Sequence, residues 1–245
     1  MRSTQNIVEE IEEIIVTSPE LKAIFLEVET IDINRKWALE LCERLQRLNK
    51  KLRHPVSFET NLRITPRADQ EELFMAMKKS NFHMVYIGLE SGSEKLRQKV
   101  LRRNYSNRDI IHAVRVAKKF GLKVLFYVMI GIPGETLADF EETVKICRIC
   151  LPDTIARYIF FPYPKTDLYE KCKREGLLRD FNIASDMVER KEAVFDLFGF
   201  NKKQIELAYN FFNLFVYKGF STSHLKKKRF IETYFYTMHR LQRRG

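Results

Sequence analysis

The order of hydrophobic and polar residues predicts an alternation of strands and helices. Short runs rich in apolar and β-branched residues predict five strands, at Leu21–Leu26, Val56–Phe58, Met84–Leu89, Lys123–Ile130 and Arg157–Phe161. Apolar residues at helical spacing predict helices near 35–50, 69–80, 107–120, 136–150 and 166–175. Since a strand recurs roughly every thirty to forty residues, the length of one βα unit, the pattern predicts a parallel α/β fold with right-handed crossovers.

The first helix comes before any predicted strand. Ser3 or Thr4 is a suitable N-cap for a helix over 6–16, in which Ile7, Ile11 and Ile14 follow helical spacing. A parallel α/β chain that opens on a helix lacks the strand that normally precedes it. We therefore expect this sequence to be either a fragment or a chain completed by another polypeptide.

Carboxylates fall at comparable places along the chain. Glu27 and Glu29 follow the first predicted strand, Glu59 follows the second and Glu90 the third. In a parallel barrel or half-barrel, residues at the carboxyl ends of strands meet on one face, where ligands bind. The alternative is that these residues are simply tolerated at exposed strand ends.

The loop after the fourth predicted strand contains two glycines. Gly131 and Gly134 allow a ligand to approach the backbone closely, and Pro133 stiffens the turn between them. Glu135 or Thr136 is then expected at the N-terminus of the next helix. The loop matches neither the GxGxxG nor the GxxxxGK[ST] pattern, so dinucleotide and nucleoside-triphosphate binding lose their main support.

Composition bounds the class of protein. A chain of 245 residues with 45% hydrophobic content can bury a real core. No apolar run approaches the roughly 18 to 20 residues of a membrane-spanning helix, and the first residues do not form a signal peptide, so we expect a cytoplasmic protein without a membrane span. Four cysteines in a chain of this length favour a reducing compartment over a disulfide framework.

The net charge of +11 favours anionic ligands, although most basic residues are expected to solvate helix faces. The basic excess is partly concentrated at 226–229 and at 240–244, which makes the end of the chain a candidate surface for a phosphate-rich or protein partner. An RNA-binding module that uses this tail is therefore one alternative function.

Beyond residue 178 the βα pattern stops. Helices are predicted at Asn182–Phe198, at Lys203–Tyr217 and over a closing stretch to Arg240. The aromatic residues of this region are expected to pack as core, with a substrate-channel or partner role as the alternative. We therefore divide the chain into a domain at 1–178 and a helical, aromatic and basic extension at 179–245.

Four motifs in this order and spacing resemble one known family. They read IGLESGSE at 87–94, LRRNYS at 101–106, MIGIPGET at 129–136 and FFPYPKTDLY at 160–169. Together they resemble the radical S-adenosylmethionine (radical SAM) superfamily, in the branch that holds cobalamin-dependent enzymes, with methylthiotransferases and oxygen-independent coproporphyrinogen oxidase as relatives. The resemblance covers about residues 1–178 and implies a partial parallel (β/α) barrel.

The resemblance also implies which residues bind the cofactor. Glu90 would contact the ribose or amino-acid part of S-adenosylmethionine, Arg103 or its neighbour Arg102 would pair with its carboxylate, and Glu59 lies where relatives place a polar residue near it. The adenine would be flanked by backbone of 128–131, including Ile130 and Gly131, and of 161–163, including Phe161 and Tyr163. Lys165 stands where this branch more often has glycine, so the sequence departs from the family pattern in that loop.

One expected part of the family is missing from this sequence. The family holds a [4Fe–4S] cluster on a CxxxCxxC motif, and no such motif occurs here. Cys147 and Cys150 share one helix face without a third ligand, so we expect them to be packing residues, with a metal site as the alternative.

Without cluster ligands, this chain alone is not expected to cleave S-adenosylmethionine. In the intact enzyme the resemblance implies S-adenosylmethionine-dependent radical or methyl-transfer chemistry, with cobalamin as a further cofactor of the branch and a complementing N-terminal polypeptide that carries the cluster. A non-catalytic remnant or subunit that keeps weak nucleoside binding is the other alternative.

Overall fold

The computed structural model of the chain describes residues 2–66, 70–178, 190–194 and 196–219. Its strands form one five-stranded sheet in sequence order. They are β1 (Ala23–Leu26), β2 (Ser57–Leu62), β3 (Phe82–Glu90), β4 (Lys123–Ile130) and β5 (Thr154–Ile159). A parallel sheet whose strands follow the sequence is the strand arrangement of a (β/α) barrel, so the predicted fold class is confirmed.

Helices connect the strands. They are α1 (Thr4–Thr17), α2 (Arg35–Lys51), α3 (Glu71–Lys79), α4 (Glu94–Lys99), α5 (Asn107–Lys119), α6 (Leu137–Cys150), α7 (Asp167–Arg174) and α8 (Lys202–Tyr217), with a 3-10 turn at Ile31–Ile33. Six of these helices lie where the chain's apolar spacing predicts them between residues 1 and 178. The short α4 and the 3-10 turn were not predicted, because neither is long enough to show a helical period.

The ends of the helices follow from local sequence. Ser3 caps α1, since its side chain accepts a hydrogen bond from the main-chain N–H of Asn6. Capping boxes begin α5, α6 and α8. Gly121 follows α5 with a φ of +71°, a left-handed conformation that is common just after a helix ends.

The first of two compact units comprises Met1–Leu89, Tyr105–Tyr127 and Pro152–Thr154. Here β1 pairs in parallel with β2, and β2 with β3. Helix α1 packs against α2, and α2 packs against α3. The core includes Phe58 and Phe82, whose rings lie 5.5 Å apart and which are almost fully buried.

The second compact unit comprises Glu90–Asn104, Val128–Leu151 and Ile155–Gly245. Its core forms around Phe140 of α6, whose ring lies 5.8 Å from that of Phe212 and 6.0 Å from that of Phe215, both on α8. Phe212 and Phe215 therefore pack as core, as predicted, whereas Tyr217 of the same helix is exposed. The other aromatic residues of the extension, from 220 onward, lie outside the described residues.

Some sequence predictions need correction, and others lie outside the described residues. Strand β2 continues to Leu62, so Glu59 lies within the strand and does not follow it. The predicted helix Asn182–Phe198 is wrong over 190–194 and 196–198, where a turn with Gly199 at a φ of +75° joins the bridged residues Leu197 and Phe200. Its earlier part, the closing helix to Arg240 and the basic tail lie outside the described residues.

Among the described residues, no helix is both long enough and apolar enough to cross a membrane.

Candidate functional site

Glu90 ends strand β3 in an unusual backbone conformation. Its φ of +59° lies in the left-handed region, a backbone conformation that costs free energy for residues other than glycine or asparagine. The carboxylate is mostly buried, with 18% of the side chain exposed, and its Oε1 lies 3.9 Å from Nη2 of Arg103. Burial raises the pKa of Glu90, and the positive charge of Arg103 opposes this rise.

Arg97 connects the loop that carries Glu90 with the loop that carries Arg103. Its side chain is fully buried, and Nη1 donates a hydrogen bond to the carbonyl oxygen of Ser91, the residue after Glu90. Its own carbonyl oxygen accepts a hydrogen bond of 2.7 Å from the main-chain N–H of Arg103. One residue of α4 thus restrains both the loop that carries Glu90 and the loop that carries Arg103.

The loop after β3 lies directly against α6. The N–H of Gly92 donates to Thr143 Oγ1 at 2.8 Å, and a Cβ at this glycine would lie 2.3 Å from the carbonyl oxygen of Glu142. Only glycine allows this approach, because real Cβ atoms do not come so close to backbone atoms. The glycine of the LESGSE segment, residues 89–94, is therefore required for packing.

An open groove of about 290 Å³ lies beside the Glu90–Arg103 pair. Arg102 also lines it, with its Nη1 2.5 Å from Oδ2 of Asp167, and both of these side chains are largely exposed. The remaining lining residues are Val100, Leu101, Met129, Thr166 and Leu168. Two guanidinium groups and two carboxylates beside apolar side chains suit a ligand with both a carboxylate and an ammonium group.

The loop after β4 is held by a buried carboxylate. Glu135 is 1% exposed, and its Oε2 accepts hydrogen bonds from the N–H groups of Gly131 at 2.5 Å and Ile132 at 3.2 Å. Its Oε1 is buried without a hydrogen-bond partner among the described residues. Burial raises the pKa of Glu135 to about 8, although the two N–H groups favour the charged form.

The sequence left Glu135 and Thr136 as alternatives for the start of the next helix. Thr136 caps α6, since its hydroxyl accepts from the N–H of Asp139, whereas Glu135 turns inward onto the glycine loop. The inward role of Glu135 had a signal in the sequence, because a carboxylate four residues after a glycine can reach back to the N–H groups of a tight turn.

Among the residues expected to flank adenine, Met129 lines the groove at Glu90, whereas Ile130, Gly131, Phe161 and Tyr163 lie in the same unit outside its lining. Ile130 is fully buried, and Gly131 has a φ of +78°. The rings of Phe161 and Tyr163 lie 5.0 Å apart. The Tyr163 hydroxyl accepts a hydrogen bond of 2.8 Å from Arg190 Nε, a residue that the sequence did not single out.

Glu59 belongs to the first unit. Its Oε1 lies 2.7 Å from His83 Nε2, and its Oε2 accepts a hydrogen bond from the hydroxyl of Tyr86. Burial and then the adjacent carboxylate raise the pKa of Tyr86. Glu27 and Glu29 line a separate cavity of this same unit.

The cysteines of this chain do not fit a three-thiolate cluster. Cys42, Cys147, Cys150 and Cys172 all lie in helices and are buried. Burial raises the pKa of Cys42 and of Cys172 to about 11, and it raises that of Cys147 as well. Within the described ranges, no three His, Cys, Asp or Glu side chains are grouped so that they could hold a metal ion.

A family model described as the radical SAM superfamily matches residues 1–147. This chain belongs to the radical SAM superfamily. The predicted resemblance is thereby confirmed.

Two relatives of this radical SAM chain illustrate the sequence similarity. The chain is 30% identical over 154 residues to a Pyrococcus horikoshii protein described as an uncharacterized methyltransferase, covering 63% of this chain and 32% of that protein. It is 26% identical over 181 residues to the anaerobic magnesium-protoporphyrin IX monomethyl ester cyclase of Rubrivivax gelatinosus, covering 74% and 32% respectively. The chain thus spans about a third of the length of these relatives.

Solved structures share the fold. The radical SAM methyltransferase TsrM from Kitasatospora setae, with cobalamin and a [4Fe–4S] cluster bound, aligns with a TM-score of 0.56 at 16% identity, over 66% of this chain and 32% of that one. Coproporphyrinogen III oxidase (HemN) from Escherichia coli aligns with a TM-score of 0.52 at 15% identity, over 66% of this chain and 38% of that one. These alignments show that the chain shares its fold with both structures.

Proposed function

We propose that this radical SAM chain binds S-adenosylmethionine in the groove at Glu90 and Arg103, as the cofactor-binding part of an enzyme for radical or methyl-transfer chemistry. The observation that carries the proposal is the pairing of a mostly buried carboxylate with a guanidinium group, 3.9 Å apart, beside an open groove. The methionine part of the cofactor carries an ammonium group and a carboxylate. A site with both charges already in place matches this zwitterion.

Each residue has a stated part in binding. Arg103 binds the carboxylate of the cofactor, because its planar fork can donate two parallel hydrogen bonds. Glu90 accepts hydrogen bonds from the ammonium group or from the ribose hydroxyls. Arg102 is already paired with Asp167 at the exposed rim, so its contribution is smaller than that of Arg103.

The adenine part rests on the loops that the family resemblance indicates. Glu135 fixes the loop at Gly131 by accepting two main-chain hydrogen bonds, which keeps this backbone in place when a ligand arrives. Phe161 and Tyr163 supply an aromatic surface, and Tyr163 is 37% exposed. When bound, S-adenosylmethionine supplies either a 5′-deoxyadenosyl radical or a methyl group, and the chain binds and orients it.

We infer that the ligands of the [4Fe–4S] cluster lie outside these 245 residues, because the four cysteines are buried in helices. A preceding part of a longer chain or a complementing N-terminal polypeptide would carry them, and cobalamin would be a further cofactor. The groove at Glu90 needs neither group in order to bind S-adenosylmethionine, so the two parts of the proposal can be tested separately.

The test is a calorimetric titration of the full chain with S-adenosylmethionine. Glu90→Gln and Arg103→Gln are expected to weaken binding by at least about tenfold, roughly 1.4 kcal/mol each, since each removes one charge from the site. Arg102→Gln is expected to weaken it less. The matched control is Glu170→Gln, which removes an exposed carboxylate of α7 and should leave the affinity unchanged.

Circular dichroism of each variant checks that the fold is intact. If the folded Glu90→Gln and Arg103→Gln variants bind S-adenosylmethionine as tightly as the parent chain, the cofactor does not bind in this groove. If the parent chain itself shows no binding, the non-catalytic scaffold becomes the better description.

A further inference from the structure

The loop after β5, residues 160–166, is held in place by hydrogen bonds and prolines. At its start, the N–H of Phe160 donates to the carbonyl oxygen of Ile130, at the end of β4, over 2.8 Å. At its end, the hydroxyl of Thr166 donates to the carbonyl oxygen of Tyr163 at 2.7 Å. A proline on each side of Tyr163 restricts the backbone between these two points. The loop therefore presents Tyr163 in a defined position at the carboxyl end of a strand, where parallel barrels bind ligands.

Arg190 packs onto this loop from a later part of the chain. The Cζ atom of its guanidinium group lies 5.6 Å from the ring centre of Tyr158 and 5.3 Å from that of Tyr163. Its carbonyl oxygen accepts a hydrogen bond of 2.8 Å from the N–H of Ile159, which fixes its main chain as well. A guanidinium group restrained in this way has little conformational freedom left, so a ligand gains its hydrogen bonds without paying to order it.

Hydrogen-bond donors gather around Tyr163. Arg190 Nε donates to the Tyr163 hydroxyl at 2.8 Å. Because the hydroxyl oxygen accepts this bond, its own hydrogen points elsewhere and can be donated to a ligand. The terminal amino groups of Arg190 form no hydrogen bond or ion pair with any residue of the described ranges. Tyr163 is 37% exposed, so a ligand can reach these donors from solvent.

Lys165 adds a second positive charge to the loop, two residues beyond Tyr163. Its φ is +66° and that of Arg190 is +61°, so both basic residues adopt a left-handed backbone that costs free energy. Strain of this kind is concentrated at ligand-binding sites, where the side chain is needed for function. The carboxylate of Asp167 is already paired with Arg102, and Lys165 forms no ion pair within the described part of the chain.

We propose that Arg190, Lys165 and the Tyr163 hydroxyl form a binding site for an oxyanion, a carboxylate or a phosphate group, that the substrate carries. This inference rests on the proposed function, because it names a substrate class for the enzyme that uses the cofactor. All three residues belong to the same compact unit as the groove at Glu90. The fork of Arg190 can donate two parallel hydrogen bonds to one oxyanion, the hydroxyl donates another, and the lysine adds charge.

The experiment measures the binding of two fluorinated anions, para-fluorobenzoate and para-fluorophenyl phosphate, to the full chain of 245 residues by fluorine NMR. The neutral para-fluorobenzamide has the same ring without the charge and is the ligand control. Arg190→Gln and Lys165→Gln each remove a charge, and Tyr163→Phe removes the hydroxyl but keeps the ring. The matched protein control is Lys191→Gln, which removes an exposed positive charge directly beside Arg190. Circular dichroism checks that every variant is folded.

We expect the anions to bind and the amide not to bind. Arg190→Gln should weaken anion binding by at least about tenfold, Lys165→Gln and Tyr163→Phe by about threefold to tenfold, and Lys191→Gln by less than about twofold. Arg190→Lys keeps the charge but not the planar fork, so its affinity should lie between those of the parent and Arg190→Gln. The tighter of the two anions indicates which group the substrate carries.

Two results would overturn the proposal directly. One is equal binding of the amide and the anions, which would mean that the ring alone is recognised. The other is an equal loss of affinity in Lys191→Gln and Arg190→Gln, which would mean that the anions respond to the general positive charge of the surface.

Titration with S-adenosylmethionine separates this inference from the proposed function. Glu90→Gln should lose cofactor binding and keep anion binding, whereas Lys165→Gln should do the reverse. If the parent binds S-adenosylmethionine but neither anion, the oxyanion site is wrong and the cofactor groove stands. If the parent binds an anion but not S-adenosylmethionine, the proposed function fails and the oxyanion site stands. If Lys165→Gln loses cofactor binding as well, the lysine serves the cofactor, and the assignment to a substrate is overturned.

Discussion

Among single residues, Glu135 combines a structural role with an unusual ionisation. Its carboxylate holds the N–H groups of Gly131 and Ile132, but the surrounding burial disfavours its negative charge. The conformation of Glu135 therefore stabilises the loop through these two hydrogen bonds, but burial of the ionised carboxylate costs free energy. This conflict makes the stability of the protein depend on pH in a defined direction.

We predict that Glu135→Gln becomes increasingly stabilising, relative to the parent, as the pH rises. The pKa of Glu135 is raised from 4.5 to about 8 in the folded chain, so the folded state binds this proton more tightly than the unfolded state does. The parent therefore loses stability as the pH rises through the interval between these values, up to a few kcal/mol. Glutamine does not ionise and avoids this loss.

Urea unfolding of both proteins, from about pH 5 to about pH 8, measures this effect. Glu170→Gln, an exposed carboxylate of the same unit, is the control and should follow the parent at every pH. Parallel stability curves for the parent and Glu135→Gln would contradict the raised pKa.

Two glycines provide a second prediction at this scale. Gly92→Ala should cost at least about 3 kcal/mol, because its Cβ would lie 2.3 Å from a backbone oxygen of α6. Gly134→Ala should cost only about 1 to 2 kcal/mol, since its φ is +86° but nothing lies within 4 Å of the added Cβ. Chemical denaturation of the two variants compares the costs. Equal losses would mean that the LESGSE loop moves away from α6 easily.

At the scale of elements, hydrogen bonds join the segment from the end of β3 through α4 into one structural unit. Helix α4 has only six residues, so it cannot be stable through its own hydrogen bonds. It is held by the buried side chain of Arg97, which reaches back to Ser91, and by the Ser93 side chain, which accepts from the N–H of Leu96. The positions of Glu90 and Arg103 depend on this piece.

We predict that Arg97→Met destabilises the chain by about 2 to 3 kcal/mol, because it leaves a buried carbonyl oxygen without its charged donor. It should also weaken S-adenosylmethionine binding in the fraction that remains folded. Arg97→Lys, which keeps the charge but not the planar fork, should have an intermediate effect on both. Urea unfolding and calorimetry measure the two effects. An Arg97→Met variant with unchanged cofactor affinity would show that Arg97 serves stability alone.

Most elements up to residue 178 could be predicted from sequence, because their apolar periods are regular. Strand β4 was predicted with its observed bounds, Lys123–Ile130. Strand β2 was predicted too short, since Glu59 and Asn61 lie on its half-exposed face and look like loop residues. The family motifs singled out Glu90 and Arg103 as cofactor-binding residues but did not predict their ion pair. The role of Arg97 could not be predicted, because a buried arginine and a surface arginine look alike in a sequence.

For the molecule as a whole, the proposal predicts that the isolated chain does not retain a [4Fe–4S] cluster. After anaerobic reconstitution with iron and sulfide, we expect far less than one cluster per chain, because the four thiols are buried and thiolate ligands are required. Iron analysis and the visible absorbance spectrum measure this. Cys147→Ser with Cys150→Ser should not change the result. A stable four-iron cluster on the parent chain would contradict the inference that the cluster ligands lie outside these residues.

The left-handed backbone of Glu90 has a consequence for protein engineering. A φ of +59° suits glycine or asparagine better than glutamate, so a redesign that scores stability alone would replace this residue. Glu90→Asn or Glu90→Gly should therefore melt at the same temperature as the parent or higher. The more stable protein would lack the charge on which the proposed cofactor site depends, so screens for robust variants of this chain should hold position 90 fixed.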